Sequence, residues 1–175
     1  MLFGSKPKTL FFLFSVVIVS GCVHTQDQVS TPVGELRVFP AELPPGWRES
    51  LTAGGQEKFV KDGSTVRYLT RPTAGENPWK TLQQLHNSTL AAYHYYGEVT
   101  LLSKRKTRVC GYSADEEVYT IQNTAENFKT TRVMITTWYC QKQGFVVAFT
   151  GIYEPSLEEE VRRIQSSTEC HLAQS

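Results

Sequence analysis

The residues with chemical reach are three widely spaced cysteines, two histidines on one candidate helix, and a serine two residues after a glycine. Gly111-Tyr112-Ser113-Ala114-Asp115 follows the nucleophile-elbow pattern G-x-S-x-G in all but its last position. That pattern works by setting a serine on a strand-to-helix turn, whereas a second strand-like run follows here, so Ser113 reads as structural. Ser103-Lys104-Arg105-Lys106 satisfies S-x-x-K, but only a helix brings those two side chains together. Cys110, Cys140, Cys170 and His171 have zinc-ligating chemistry without the paired C-x-x-C or H-x-x-x-H spacing of a zinc site. No metal and no cofactor are expected. In an oxidising compartment the first pairing to expect is Cys110 with Cys140, closing a loop of about 30 residues and stabilising by about 3 to 4 kcal/mol. Cys140 with Cys170 is the second, and the third cysteine stays free or bonds another chain.

His86 and His94 stand eight apart, so they do not form an i, i+4 metal pair. His86, on the wheel between Leu82 and Tyr93, reads as a half-buried structural histidine, and Trp79, Tyr93, Tyr95 and Tyr96 on the same segment read as core and rim. The alternative is a small-ligand pocket beside the helix, formed with His86. Lys104-Arg105-Lys106 with Arg108 is a basic cluster; as a solvated strand end it needs no ligand, and as a site it would meet lipid phosphates or an acidic partner.

The elements that would position these residues are legible in outline. Leu36 to Phe39 alternates weakly. Glu57 to Lys61 and Thr65 to Arg71 are strand-like runs joined by Asp62-Gly63, a strong hairpin signal. Asn77 caps a helix with Pro78 at its first position and Gly97 as its stop, running to about Tyr96. On its wheel Leu82, Leu85, Thr89, Tyr93 and Tyr96 share one face. Strand-like runs follow at Val99 to Ser103, Thr107 to Tyr112, Asp115 to Gln122, Thr131 to Gln141 and Phe145 to Gly151, rich in Thr, Val, Ile, Tyr and Trp. The short Asn123 to Asn127 and Gln141 to Gly144 connections imply an antiparallel meander. A last helix begins at Ser156, where Glu159 completes a capping box, with Leu157, Val161 and Ile164 facing the core. The fold class is α+β: an antiparallel sheet with two amphipathic helices packed on it.

The N-terminus carries an address. Lys6 and Lys8 precede an apolar stretch from Leu10 to Val19, too short to span a bilayer and suited to a secretory leader. Val19-Ser20-Gly21-Cys22 resembles the lipobox of bacterial lipoproteins. The resemblance implies cleavage between Gly21 and Cys22 and a lipid on the Cys22 thiol. Residues 1–21 are then a signal peptide, 22–34 a polar lipidated tether, and 35–175 a single α+β domain. Two or more acyl chains give stable attachment where one does not. Val23 takes the place of the Asp that retains such proteins at the inner membrane in enteric bacteria, which favours an outer-membrane address facing the periplasm.

The whole chain has 18 Lys and Arg against 17 Asp and Glu; without Lys6 and Lys8 the balance is −1. Such a domain has no long-range positive field, which argues against a nucleic-acid partner.

The layout resembles the PsbP-like superfamily and, within it, the DcrB-type bacterial lipoproteins. The features that carry it run from Leu43 to about Ser167. They are Leu43-Pro44-Pro45-Gly46-Trp47 with the first hairpin, the helix leading to Val99-Thr100-Leu101, Val109 to Ala114 before a strand, the Phe145 to Thr150 strand and the closing helix. The resemblance implies an accessory or binding protein and supplies no catalytic residues; the cysteines beyond Cys22 are not part of its pattern. The expectation is therefore a non-enzymatic envelope lipoprotein that binds or scaffolds a protein partner. A small-ligand protein using Trp79, His86, Tyr93 and Tyr96, and a hydrolase using Ser113, are the alternatives.

Overall fold

The computed structural model describes residues 36–51, 57–122 and 130–172. The leader, Gly21, Cys22, the 22–34 segment and the turn expected at 123–127 lie outside the described residues.

Seven strands form one antiparallel sheet: β2 (Arg48–Leu51), β3 (Glu57–Lys61), β4 (Ser64–Pro72), β5 (Glu98–Val109), β6 (Tyr112–Gln122), β7 (Thr130–Cys140) and β8 (Phe145–Tyr153). Their order across the sheet is β2-β3-β4-β8-β7-β6-β5. The expected meander is the β5-to-β8 half. A second, two-stranded ribbon pairs β1 (Leu36–Pro40) with β9 (Thr168–Leu172). Helix α1 (Pro78–His94) connects β4 to the far edge at β5, and α2 (Glu158–Ser166) precedes β9. This is the α+β architecture expected from the sequence.

The two helices lie on opposite faces. Odd-numbered residues of β7, such as Val133 and Ile135, form clusters under α1 with Tyr119, Ile121 and Tyr93. Even-numbered ones, Met134 and Trp138, join Val161 and Ile164 of α2 and Leu36 and Val38 of β1. The sheet is thus buried on both sides, α1 on one and α2 with the ribbon on the other. Both faces of β7 and β8 consequently read as nearly unbroken apolar or Thr-rich runs.

Local chemistry accounts for the element ends. The Asn77 side chain accepts a hydrogen bond from the Trp79 amide, and Pro78 fills the first helical position. Asp62-Gly63 makes the expected two-residue hairpin, with positive φ at both residues (47° and 79°).

Four expectations needed correction. The break between Ser103 and Thr107 does not exist: β5 runs unbroken through Lys104-Arg105-Lys106, whose charges find partners on β6. The Ser156 capping box is not formed; Pro155–Leu157 makes a 3₁₀ turn, and α2 starts at Glu158 without a side-chain cap. Three acids in its first turn, Glu158 to Glu160, favour that start through the helix dipole. Helix α1 ends at His94, which leaves Tyr96 exposed rather than on the packed face. Strands β2 and β9 were not foreseen; each exists by adding to an edge that another strand offers.

Candidate functional site

The β5–β6 hairpin carries a three-rung charge ladder. Its register pairs Lys104 with Glu117, Arg105 with Glu116, and Lys106 with Asp115. Cross-strand neighbours share a face, so the outer rungs lie on the α1 side and the middle rung on the α2 side. A bulge between Leu101 and Ser103 makes this compatible with the packing further along β5. It inserts Leu102, so that Val99 beside Ile121 and Lys104 beside Glu117 both point toward α1.

On the α1 side Glu117 is nearly buried and saturated with donors. His86 Nε2 lies 3.0 Å from its Oε2, Lys104 Nζ lies 2.5 Å from its Oε1, and the Tyr119 hydroxyl donates to Oε2. Burial raises the Glu117 pKa, but Lys104, Tyr119 and His86 outweigh it, and the carboxyl is held below its usual range. Burial and the Glu117 carboxylate together push the Tyr119 hydroxyl upward. A cleft of about 270 Å³ opens here between Gln83, His86 and Asn87 of α1 and Lys104, Asp115 and Glu117 of the strands. His86 and Lys104 are both paired with Glu117, and Asp115 with Lys106, so the arrangement works as a clamp between helix and sheet.

On the other face Glu116 is 1% exposed. Arg105 Nε and Arg162 Nη1 each donate to Oε1 at 2.7 Å, and Gln165 Nε2 donates to Oε2 at 2.9 Å. Burial raises this carboxyl too, and the hydrogen bonds from Arg105, Arg162 and Gln165 more than reverse it, lowering its pKa. The two carboxylates serve different helices: Glu117 fixes α1 and Glu116 fixes α2. Sequence reasoning missed both, although the signal was present. Lys104-Arg105-Lys106 and Asp115-Glu116-Glu117 are mirror images about Cys110-Gly111, the two residues that turn the hairpin.

The expected aromatic pocket is not assembled. Trp79 is exposed and lies edge-on to Tyr139, His86 turns to Glu117, and Tyr93 is buried in the core. Tyr95 and Tyr96 are 90% and 60% exposed, at the end of α1 away from Trp79, and meet only each other at a right angle among the ring contacts described. One helix spreads these side chains over most of its length, and the wheel alone does not show that. Ser113 lies exposed in β6 opposite Arg108, with strand rather than helix after it, so the nucleophile-elbow geometry is absent. Ser103 and Lys106 are on opposite faces of β5, which removes the S-x-x-K arrangement.

The cysteine pairing also differs from both expectations. Cys110 is bonded to Cys170, with Cα atoms 6.0 Å apart, and Cys140 is the buried free thiol. The pairing follows from β9, which returns along β1 and carries Cys170 to the Cys110-Gly111 turn. Among the described residues no group of three His, Cys, Asp or Glu side chains is placed to hold a metal ion. His171 pairs with Glu169 and stacks on Phe39.

Exposed large apolar side chains stand on this strand and just before it. Leu101 and Leu102 are about half exposed on β5, an edge strand of the sheet, and Tyr95 and Tyr96 immediately precede that strand.

No family model matches the chain, and no curated protein matches it in sequence. Several solved structures share its fold. LpqN of Mycobacterium tuberculosis, described as involved in cell envelope biogenesis, superposes with a TM-score of 0.59 at 18% identity, over 80% of this chain and 89% of that one. The Ran-binding protein Mog1p of Saccharomyces cerevisiae gives 0.52 at 10% identity, over 80% and 96%. PsbP from Synechocystis sp. PCC 6803 is a looser match, 0.48 at 11% identity over 80% and 94%. At these identities the likeness is one of fold: an antiparallel sheet with two helices, shared with LpqN and Mog1p.

Proposed function

We propose that this chain is a non-enzymatic accessory protein of the cell envelope, anchored by lipid at Cys22, that binds a partner protein at the β5 edge. The observation that carries the binding role is the exposure of Leu101 and Leu102 at the bulge of edge strand β5, with the exposed Tyr95 and Tyr96 just before that strand in sequence. Large apolar side chains exposed on an edge strand favour a protein partner that adds a strand or packs an apolar face. Aromatic residues are preferred in such contacts. The fold shared with an envelope-biogenesis protein and with a Ran-binding protein is compatible with an accessory or binding role. The DcrB-type resemblance, the lipobox and the outer-membrane address belong to this proposal. Among the described residues no helix is long and apolar enough to cross a membrane; the anchor proposed is the lipid on Cys22.

Two experiments test the two halves separately. Cys22→Ser in the full chain should leave residues 1–21 uncleaved by the lipoprotein route and abolish acyl labelling; retained acylation overturns the anchor. A photoreactive residue at Leu102, in living cells, should give one discrete protein adduct that Leu101→Ser removes and that the same residue at Gln83 does not give. Equal adducts at both positions, or none at Leu102, overturn the binding edge.

A further inference from the structure

Three sulfur atoms meet where β7, β9 and the β5–β6 turn converge. Cys110 and Cys170 are bonded, and Cys140 Sγ lies 3.8 Å from Cys170 Sγ. That is contact distance for a thiol beside a disulfide it could attack. Cys140 sits at the end of β7, with no exposed surface, packed in the cluster that holds Trp138 and Phe145. Cys110 is the first residue of a two-residue turn and only partly buried. Thr168 O lies 3.3 Å from Cys110 Sγ, where a carbonyl would accept the S–H of a Cys110 thiol.

We infer that the three cysteines form a thiol–disulfide exchange site that moves the free thiol from buried Cys140 to Cys110 at the hairpin tip, making Cys110 a modification site for soft electrophiles and low-molecular-weight disulfides. The Cys140 thiolate attacks Cys170 Sγ. A Cys140–Cys170 bond forms, the Cys110–Cys170 bond breaks, and the electron pair leaves on Cys110 Sγ. Cys110 takes up a proton in place of the one Cys140 released, so the isomerisation consumes neither oxidant nor reductant. A low-molecular-weight disulfide RSSR then reacts with the Cys110 thiolate to give Cys110–S–SR and RS⁻.

The two thiols differ in reactivity for a physical reason. Burial pushes the Cys140 thiol up to about 11, the neighbouring Trp138 opposing this only in part. In its resting state the free thiol is therefore mostly protonated and out of reach of solutes. Exchange exposes it, and the positive φ of Cys110, 51°, places that residue at a sharp turn instead of inside a strand.

The test uses the full chain, purified in detergent without reductant, with iodoacetamide as the probe. After incubation and an acid quench, non-reducing digestion shows which cysteine carries the label and which two are bridged; Cys22 is read separately in the same digest. Label on Cys110 together with a Cys140–Cys170 bridge is expected, and Cys140→Ser should lose that label. Label on Cys140 with the Cys110–Cys170 bridge intact, or no label on Cys110, overturns the proposal. Cys110→Ser supplies an independent reading. Oxidised glutathione should bridge Cys140 to Cys170 in that variant, whereas two thiols left unbridged show that the sulfurs cannot meet and also overturn it.

Discussion

Arg162 Nη1 on α2 lies 2.7 Å from Glu116 Oε1 on β6, joining residues 46 apart in the chain through a carboxylate that is almost fully buried. Arg105 reaches the same oxygen from β5. One acid thus ties the edge strand to the sheet and the sheet to its helix. Removing one partner of such a group leaves a charge poorly compensated in the interior, which is the costly case.

Arg162→Met is therefore expected to destabilise the fold by about 2 kcal/mol at pH 7, since Arg105 and Gln165 continue to serve the carboxylate. Glu116 has a folded pKa below its ordinary 4.5. Its contribution is fully present above the unfolded value and disappears as pH falls through the lower, folded one. Urea midpoints of wild type and Arg162→Met should accordingly differ most at neutral pH and converge in strong acid. A gap that is constant with pH would contradict the role given to Glu116.

Gly151 is needed for helix packing. A Cβ placed there would stand 2.9 Å from Val161 Cγ1, which is buried in the α2 seam. Gly151→Ala should cost about 1 to 3 kcal/mol by pushing α2 off the sheet. In Gly151→Ala/Val161→Ala the clash is gone, so the double variant should be more stable than the two single effects added together. Strict additivity in urea unfolding would mean that α2 adjusts freely.

The cap of α1 gives a smaller effect. Asn77→Ala removes the acceptor for the Trp79 amide and should cost about 1 kcal/mol, while Asn77→Ser should be close to neutral. Thermal unfolding followed by circular dichroism separates the two variants.

The disulfide gives the largest effect. Cys110 and Cys170 are separated by 60 residues, and a loop of that size corresponds to about 4 kcal/mol in the chain-entropy account. Cys170→Ala removes both bridging isomers and should show the whole loss in non-reducing urea unfolding. Cys110→Ala should lose less, because Cys140 can take its place. Equal losses would argue against that replacement.

How much of this was legible in the sequence depended on how local each determinant is. Asn77-Pro78 and Asp62-Gly63 act within a few residues, and both delivered the structure they announced. Cys110-Gly111 makes the same positive-φ turn but went unread, because cysteine seldom fills that position; the mirrored charges on either side were the better guide. Strand β9 alternates Thr168 and Cys170 with Glu169 and His171 over only five residues directly after a helix, too short a run to stand out, and its partner lies at the opposite end of the described chain. Without β9 the position of Cys170 was unknown, and so the pairing of the cysteines could not be read. The α1 wheel identified the buried residues Leu82, Leu85, Thr89 and Tyr93. It gave no hint that His86 would meet an acid from a strand far along the chain. The candidate site was hidden for the same reason: its parts come together only through the register of β5 with β6.

The β1–β9 ribbon has a mechanical consequence. Leu36 is paired with Leu172, so the chain enters and leaves this fold side by side. Tension arriving through residue 36 peels β1 from β9 one rung at a time, the weakest way to load a pair of strands, while the bond from Cys170 to Cys110 keeps β9 fastened to the hairpin behind it.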